Sequence, residues 1–277
     1  MPETGRGDEA PVFQREGNFV RFNQRGAKIL FPDDASNESY YAWLDGMVAS
    51  IGGVVPGAEI VEKPAEREQP RRNSGVYYDT DVYDLLHGHM VLRTTSNPKT
   101  HAFCAFKLGE DEDGVRRDHR YVFEGEDKRT IQYGPTSLEA VAVVRRLLAS
   151  DDMVQPGTVM REMTSISGES LSPALSVIQD RRTFYVWLDG QDSLRCSLDR
   201  ASVRALRPEI RVRTGSFSEV ELAIFPRISA EMMKDRRTGE LISCIAQSLA
   251  EHFQVRSIAD SKYRRAAYLL GLIGNFQ

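Results

Sequence analysis

The sequence predicts an α+β fold built around an antiparallel sheet or barrel. Strand-like runs outnumber helical ones, they occupy both halves of the chain, and helices punctuate them. At 277 residues the chain can bury one large core or two small ones. A composition of 41% hydrophobic and 27% charged residues is that of an ordinary globular protein.

Residues 1–17 are polar, Gly-rich and aperiodic, and read as a flexible arm ahead of a single domain over 18–277. A strand pair follows over 19–22 and 27–31, ended by Pro32. Tyr40, Trp43, Leu44, Met47, Val48 and Ile51 then fall at helical spacing, with Asp34 or Ser36 as a cap and Gly52-Gly53 as a stop. The charged, Pro-broken segment 58–74 reads as a solvated loop with one short edge strand. Strand patterns occupy 75–78, 90–95, 101–108, 119–124 and 128–133, separated by Gly, Pro or acidic turns. A helix fits 137–149, where Thr136 and Glu139 stand at capping-box spacing. In the second half, strands are expected at 159–165, 182–188, 193–199, 209–214 and 217–225, and helices over 240–253 and 261–270.

Bulk charge narrows the function classes. Lys+Arg 36 against Asp+Glu 40 leaves a net charge of -4, so no global field draws duplex nucleic acid or anionic membrane. Any anion site must be built locally. Cys104, Cys196 and Cys244 are scattered and odd in number, which argues against a disulfide framework or zinc cluster and for a reducing compartment. No apolar run is long enough to span a bilayer and the N-terminus lacks a signal-peptide pattern, so a cytoplasmic location is expected. The sequence leaves homo-oligomerisation open.

Charge placement within strands is more informative. Glu219 and Glu221 share one face against Val220, Leu222 and Ile224, and Arg195 and Asp199 share one against Leu194, Cys196 and Leu198. Lys107 stands opposite Cys104, Phe106 and Leu108, and Lys28 and Arg93 follow the same rule. A sheet with one wet face gives such alternation without any function. Against that stands the mixture of signs, which would suit a closed-barrel lumen where cations meet phosphates and carboxylates hold a bridging Mg²⁺ or Mn²⁺; the pattern alone leaves both readings open.

Gly75-Val76-Tyr77-Tyr78-Asp79-Thr80-Asp81-Val82-Tyr83-Asp84-Leu85-Leu86, followed by Gly88-His89-Met90-Val91-Leu92-Arg93, resembles the YYDTPDLDLL…G…LR stretch of the CYTH domain family of triphosphate tunnel metalloenzymes. The strand 103–108, the hairpin 182–199, the ExE strand at Glu219–Leu222 and Ser261-Lys262-Tyr263 resemble later family motifs in the same order. The resemblance implies an eight-stranded antiparallel tunnel barrel with flanking helices. It also implies hydrolysis of a triphosphate or other phosphate-rich organic substrate with Mg²⁺ or Mn²⁺. Carried over, Arg93, Lys107, Arg182 and Lys262 would contact phosphate. Asp199, Glu219 and Glu221 would bind metal, the two glutamates also serving catalysis.

Two departures stand against catalysis. The family opens with an ExExK strand whose carboxylates are metal ligands, but Gly26-Ala27-Lys28-Ile29-Leu30-Phe31 carries no acid. Thr95 also replaces an Arg common two residues after Arg93. The alternative is therefore a catalytically degenerate polyphosphate- or nucleotide-binding module acting as a sensor or complex subunit. An interaction scaffold without phosphate affinity is a third reading. His87-Gly88-His89 reads as a surface turn, Glu110-Asp111-Glu112-Asp113 as a hairpin tip, and Arg71-Arg72 as part of a loop.

Overall fold

In the computed structural model, residues 13–110, 116–151, 156–225, 227 and 234–274 are described. The strands are β1 (Phe13–Glu16), β2 (Phe19–Gln24), β3 (Gly26–Phe31), β4 (Ala58–Glu62), β5 (Arg71–Asp79) and β6 (Val91–Ser96). They continue with β7 (Ala102–Glu110), β8 (Arg116–Val122), β9 (Ser172–Leu188), β10 (Gln191–Ala205), β11 (Thr214–Ile224) and β12 (Ser257–Ile258). All pair antiparallel in one sheet of order β1-β2-β8-β7-β6-β5-β9-β10-β11-β3-β12, with β4 pairing β9 off that path. The β9–β10 hairpin turns at Asp189 and Gly190, both at positive φ (52° and 77°), as a tight hairpin turn requires.

Arg25 alone separates β2 from β3, yet β2 pairs β8 while β3 pairs β11 towards the other end of the path. One stretch of chain thus serves two distant parts of the sheet, which must curl for both to be reached. Among the described residues the sheet holds twelve strands, eleven of them on a hydrogen-bonded path with two ends. That differs from the closed ring of eight that the resemblance implied. What the pairing gives is an α+β fold with one large antiparallel sheet.

Alternation along the strands decides where the core sits. Phe184, Val186 and Leu188 of β9, Leu194, Cys196 and Leu198 of β10, and Val220, Leu222 and Ile224 of β11 form one apolar face. Tyr40, Trp43, Leu44 and Ile51 of the helix Asn37–Val54 cover it, with Leu241, Ile245 and Leu249 of the helix Arg236–Phe253. Ser36 caps the first of these helices by accepting from the Ser39 amide at 3.0 Å. A second cluster joins Val76, Tyr78, Leu92, Cys104 and Phe106 to the helices Gly125–Tyr133, Leu138–Leu148 and Pro156–Thr164 through Ile131, Val144 and Met160. The helices therefore take the apolar face of the sheet, and the opposite face turns inward. No described helix is long and apolar enough to cross a membrane.

A third cluster lies on the inward face itself. Tyr77, Leu175, Val177, Val203 and Phe217 meet Tyr263, Ala266 and Ala267 of the helix Lys262–Leu269, which fills that part of the interior.

Several expectations need correction. Of the residues expected as strands, 128–133 fall in the helix Gly125–Tyr133 and 159–164 in the helix Pro156–Thr164, with Ser165 just past its end. In each the hydrophobic residues meet the core from one side only, Ile131 in the first and Met160 in the second. Residues 209–213 are irregular, a turn and a bend among them, ahead of β11. Of the arm expected over 1–17, residues 1–12 lie outside the described residues and Phe13–Glu16 pairs with β2. Residues 111–114 of the expected hairpin tip also lie outside them.

The C-terminal helix is held in place by Asp79, which is wholly buried at the end of β5. Its carboxylate accepts from the amides of Thr80, Leu85 and Leu86 at 2.8–2.9 Å and from the Tyr263 hydroxyl at 2.7 Å. Tyr263 also stacks on Tyr77, with ring centroids 5.1 Å apart. Hydrogen bonds to a charged group are worth about 1.5–3 kcal/mol each, and donors left unpaired in a core cost more. Asp79→Ala is expected to lower unfolding stability by about 3 kcal/mol or more in urea titration. A loss below about 1 kcal/mol would show that the carboxylate does not anchor the helix.

Candidate functional site

The inward face encloses a cavity of about 400 Å³. Most strands of its wall point a cation at it: Lys28 from β3, Arg71 from β5, Arg93 from β6, Lys107 from β7, Arg116 and Arg120 from β8, Arg181 from β9 and Arg195 from β10. Lys262, at the start of the last helix, is the ninth. Among the described residues, Glu221 of β11 is the single carboxylate in the lining. The period of two produces this directly. On β9, Gln179, Arg181, Thr183 and Tyr185 face the cavity while Phe184 and Val186 pack under the helix Asn37–Val54.

Buried carboxylates hold several of these cations. Asp118, only 1% exposed, pairs with Lys107 at 2.6 Å and takes Arg120 in two hydrogen bonds of 2.9 and 2.7 Å. The Arg120 guanidinium also lies between the rings of Phe22 and Phe103, 4.4 and 4.6 Å from their centroids. Arg181 binds Asp199 through two hydrogen bonds of 2.7 and 2.6 Å and reaches Glu221 at 3.1 Å. Arg93 donates to the Tyr77 hydroxyl at 3.1 Å and Lys28 to the Asp260 carbonyl at 3.1 Å. Among the described residues, neither Arg93 nor Arg195 has a carboxylate ion-pair partner, so both present their charge to the cavity.

Burial, reinforced by Arg116, pulls the Lys28 ammonium down to about 7 against the opposing influence of Glu219 and Glu221. Burial alone would raise the Glu221 carboxyl, but Lys262, Arg181, Lys107 and Lys28 hold it well below the usual carboxylate range. Burial opposes the charge on Lys262 too, and the surrounding carboxylates of Asp199, Glu219 and Glu221 override it and raise its pKa.

Of the residues expected at the site, Arg93, Lys107, Lys262 and Glu221 line the cavity. Asp199 and Glu219 lie fully buried beside it, in ion-pair contact with Lys262. Arg182 is not brought to them. It projects to the opposite face of β9, into a small cleft beside Tyr41, Glu62 and Arg67, because the inward position belongs to its neighbour Arg181. Arg71, Arg116, Arg120 and Arg181 were not expected at the site. For Arg181, counting in twos from the apolar residues Phe184 and Val186 would have found it.

Asp199, Glu219 and Glu221 each offer a carboxylate oxygen within 4.8 Å of the others, the spacing of a possible metal cluster. Their charge is already met, however. The Lys262 ammonium is 2.8 Å from Asp199 and 3.7 Å from Glu221 and contacts Glu219, Arg181 holds Asp199, and Arg265 lies 2.7 Å from Glu219. The residues as arranged do not fit Mg²⁺ or Mn²⁺, because an ammonium stands where the ion would.

No protein-family model matches the sequence, and no curated protein does either. Among solved structures, a candidate adenylate cyclase of Bacillus halodurans is 12% identical with a TM-score of 0.49, covering 87% of this chain and 97% of that one. A candidate adenylyl cyclase of Hippeastrum, described as having a dominant triphosphatase activity, is 12% identical with a TM-score of 0.48, covering 92% and 98%. The mimivirus capping enzyme triphosphatase is 9% identical with a TM-score of 0.31, covering 84% and 90%. At such identities and TM-scores a shared activity does not follow, and the function of this chain has to be read from its own residues.

A polyanion entering the cavity should raise the Lys28 pKa from its free value near 7, so the complex binds more protons than the free protein. Below pH 7 Lys28 is protonated in both states; above it, affinity should fall as pH rises. Calorimetry of tripolyphosphate binding at pH 8, in buffers of differing ionisation heat, should show proton uptake that is smaller in Lys28→Arg. Equal uptake in both proteins would contradict the assignment.

Proposed function

We propose that the cavity binds a triphosphate or a comparable phosphate-rich anion, and that side-chain cations neutralise it in place of a divalent ion. The observation that carries this reading is the lining itself, nine cations against one carboxylate among the described residues. Such a wall is electrostatically unfavourable when empty, and a polyphosphate relieves it. In a partly desolvated cavity each charge-assisted contact is also stronger than in water.

The tunnel of the CYTH family supplies the frame for this reading. When β2 and β3 are taken as one bent strand shared by β8 and β11, eight strands surround the cavity: that strand and β5 to β11. The family's ExExK pattern then falls on Gln24-x-Gly26-x-Lys28, keeping the lysine and losing both carboxylates. Gln24 and Lys28 line the cavity. A side chain at 26 has no room, since a Cβ there would lie 2.0 Å from the Leu222 carbonyl oxygen.

In this reading Arg93, Lys107 and Arg195 meet the phosphates directly, while Asp118 and Asp199 fix the orientation of Lys107, Arg120 and Arg181. Glu219 and Glu221, expected to serve a metal and a water, hold Lys262 instead. Metal-dependent hydrolysis asks for the same three carboxylates and finds them engaged, so the binding module is favoured over the hydrolase.

Isothermal titration with tripolyphosphate in EDTA tests this. The wild-type chain should bind, and Arg93→Ala or Lys107→Ala should weaken binding by about 10- to 100-fold, from loss of about 1.5–3 kcal/mol per charged contact. No phosphate should be released with Mg²⁺ or Mn²⁺. Binding that vanishes in EDTA and returns with Mg²⁺ would overturn the reading.

A further inference from the structure

We infer that the Lys262 ammonium is a built-in cation occupying the centre of the Asp199–Glu219–Glu221 cluster, and that removing it would turn the cluster into a divalent-cation site. This deepens the reading above by naming what takes the metal's place.

Three carboxylates from two strands converge on the one ammonium. Asp199 and Glu219 are direct cross-strand partners on β10 and β11, and Glu221 follows two residues along on the same face. Like charges placed opposite each other destabilise a sheet pair, so these strands need a cation between them. Lys262 supplies it, 2.8 Å from Asp199 Oδ2, 3.7 Å from Glu221 Oε2 and in contact with Glu219 Oε1. Arg265 lies 2.7 Å from Glu219 Oε2, the oxygen turned away from Lys262, while Arg181 binds both oxygens of Asp199 and shares Asp199 Oδ2 and Glu221 Oε2 with the ammonium; these two guanidinium groups leave one of the three carboxylate charges to Lys262.

The ammonium is also fixed in place. Ser261 caps the helix by accepting from the Arg264 amide at 3.2 Å. Tyr263, the next residue after Lys262, is stacked on Tyr77 and bonded to Asp79. Lys262 therefore cannot withdraw far without unseating the helix. The neighbouring wall offers an incoming ion no help, because Lys28 is the cross-strand partner of Glu221 and would repel it. With Lys262 removed, the same oxygens, already within 4.8 Å of one another, regain a negative excess. Only a small movement then brings them to the ~2.0–2.6 Å bonds of a hard divalent cation.

The probe is Mn²⁺, followed by the loss of its free EPR signal when added to the full chain, beside tripolyphosphate titration in EDTA. Wild-type protein should leave Mn²⁺ free. Lys262→Ala should take up one Mn²⁺ per chain at least about tenfold more tightly. Lys262→Arg, which keeps a cation, and Lys262→Ala/Asp199→Asn, which removes a ligand, should not. If Lys262→Ala does not fold, Lys262→Met keeps the aliphatic stem and carries the same expectation. Tight Mn²⁺ uptake by the wild type that Asp199→Asn abolishes would overturn the inference. So would Lys262 variants that fold and bind no more Mn²⁺ than the wild type. Failure of the wild type to bind tripolyphosphate would overturn the anion-binding reading instead, whatever the Mn²⁺ result.

Discussion

Crowding nine cationic side chains, among the described residues, around one cavity is the constraint on which the rest of this structure depends. Like charges at low dielectric repel strongly, and the chain offsets that repulsion with carboxylates set just behind the wall. Asp118 serves Lys107 and Arg120; Asp199, Glu219 and Glu221 serve Arg181 and Lys262. Among the described residues Arg93 and Arg195 have no such partner, so their charge is the least compensated in the wall.

The fold follows from the same constraint. With the charged face turned inward, the sheet needs its core on the other side, and the flanking helices provide it. Where the interior carries no charge, its strands switch to Leu175, Val177, Val203 and Phe217, and the C-terminal helix packs into the gap. That helix carries Lys262 to the carboxylates, so the apolar packing of Tyr263 and the ion pairs of Lys262 support each other across one peptide bond.

Much of this was legible in the strands. The alternation of Glu219 and Glu221 with Val220 and Leu222, and of Lys107 with Cys104 and Phe106, holds in the structure because each strand has one apolar neighbour layer. The reading slipped at Arg182 for a physical reason. β9 begins at Ser172, and its inward face is apolar at Leu175 and Val177 before becoming polar at Gln179, so no single-face pattern marks the strand. The ion pairs of Lys262 with Asp199 and Glu219 were also hidden, since they join parts of the chain far apart in sequence. Each residue was visible as a candidate. That the lysine occupies the place of a metal was not.

The most direct test of the central claim is a crystal structure of the full chain with tripolyphosphate and Mn²⁺, with data collected for manganese anomalous scattering. Phosphate density beside Arg93, Lys107 and Arg195, with Lys262 still among Asp199, Glu219 and Glu221 and no anomalous peak there, is the predicted result. A manganese peak among those three carboxylates, with Lys262 displaced, would contradict it.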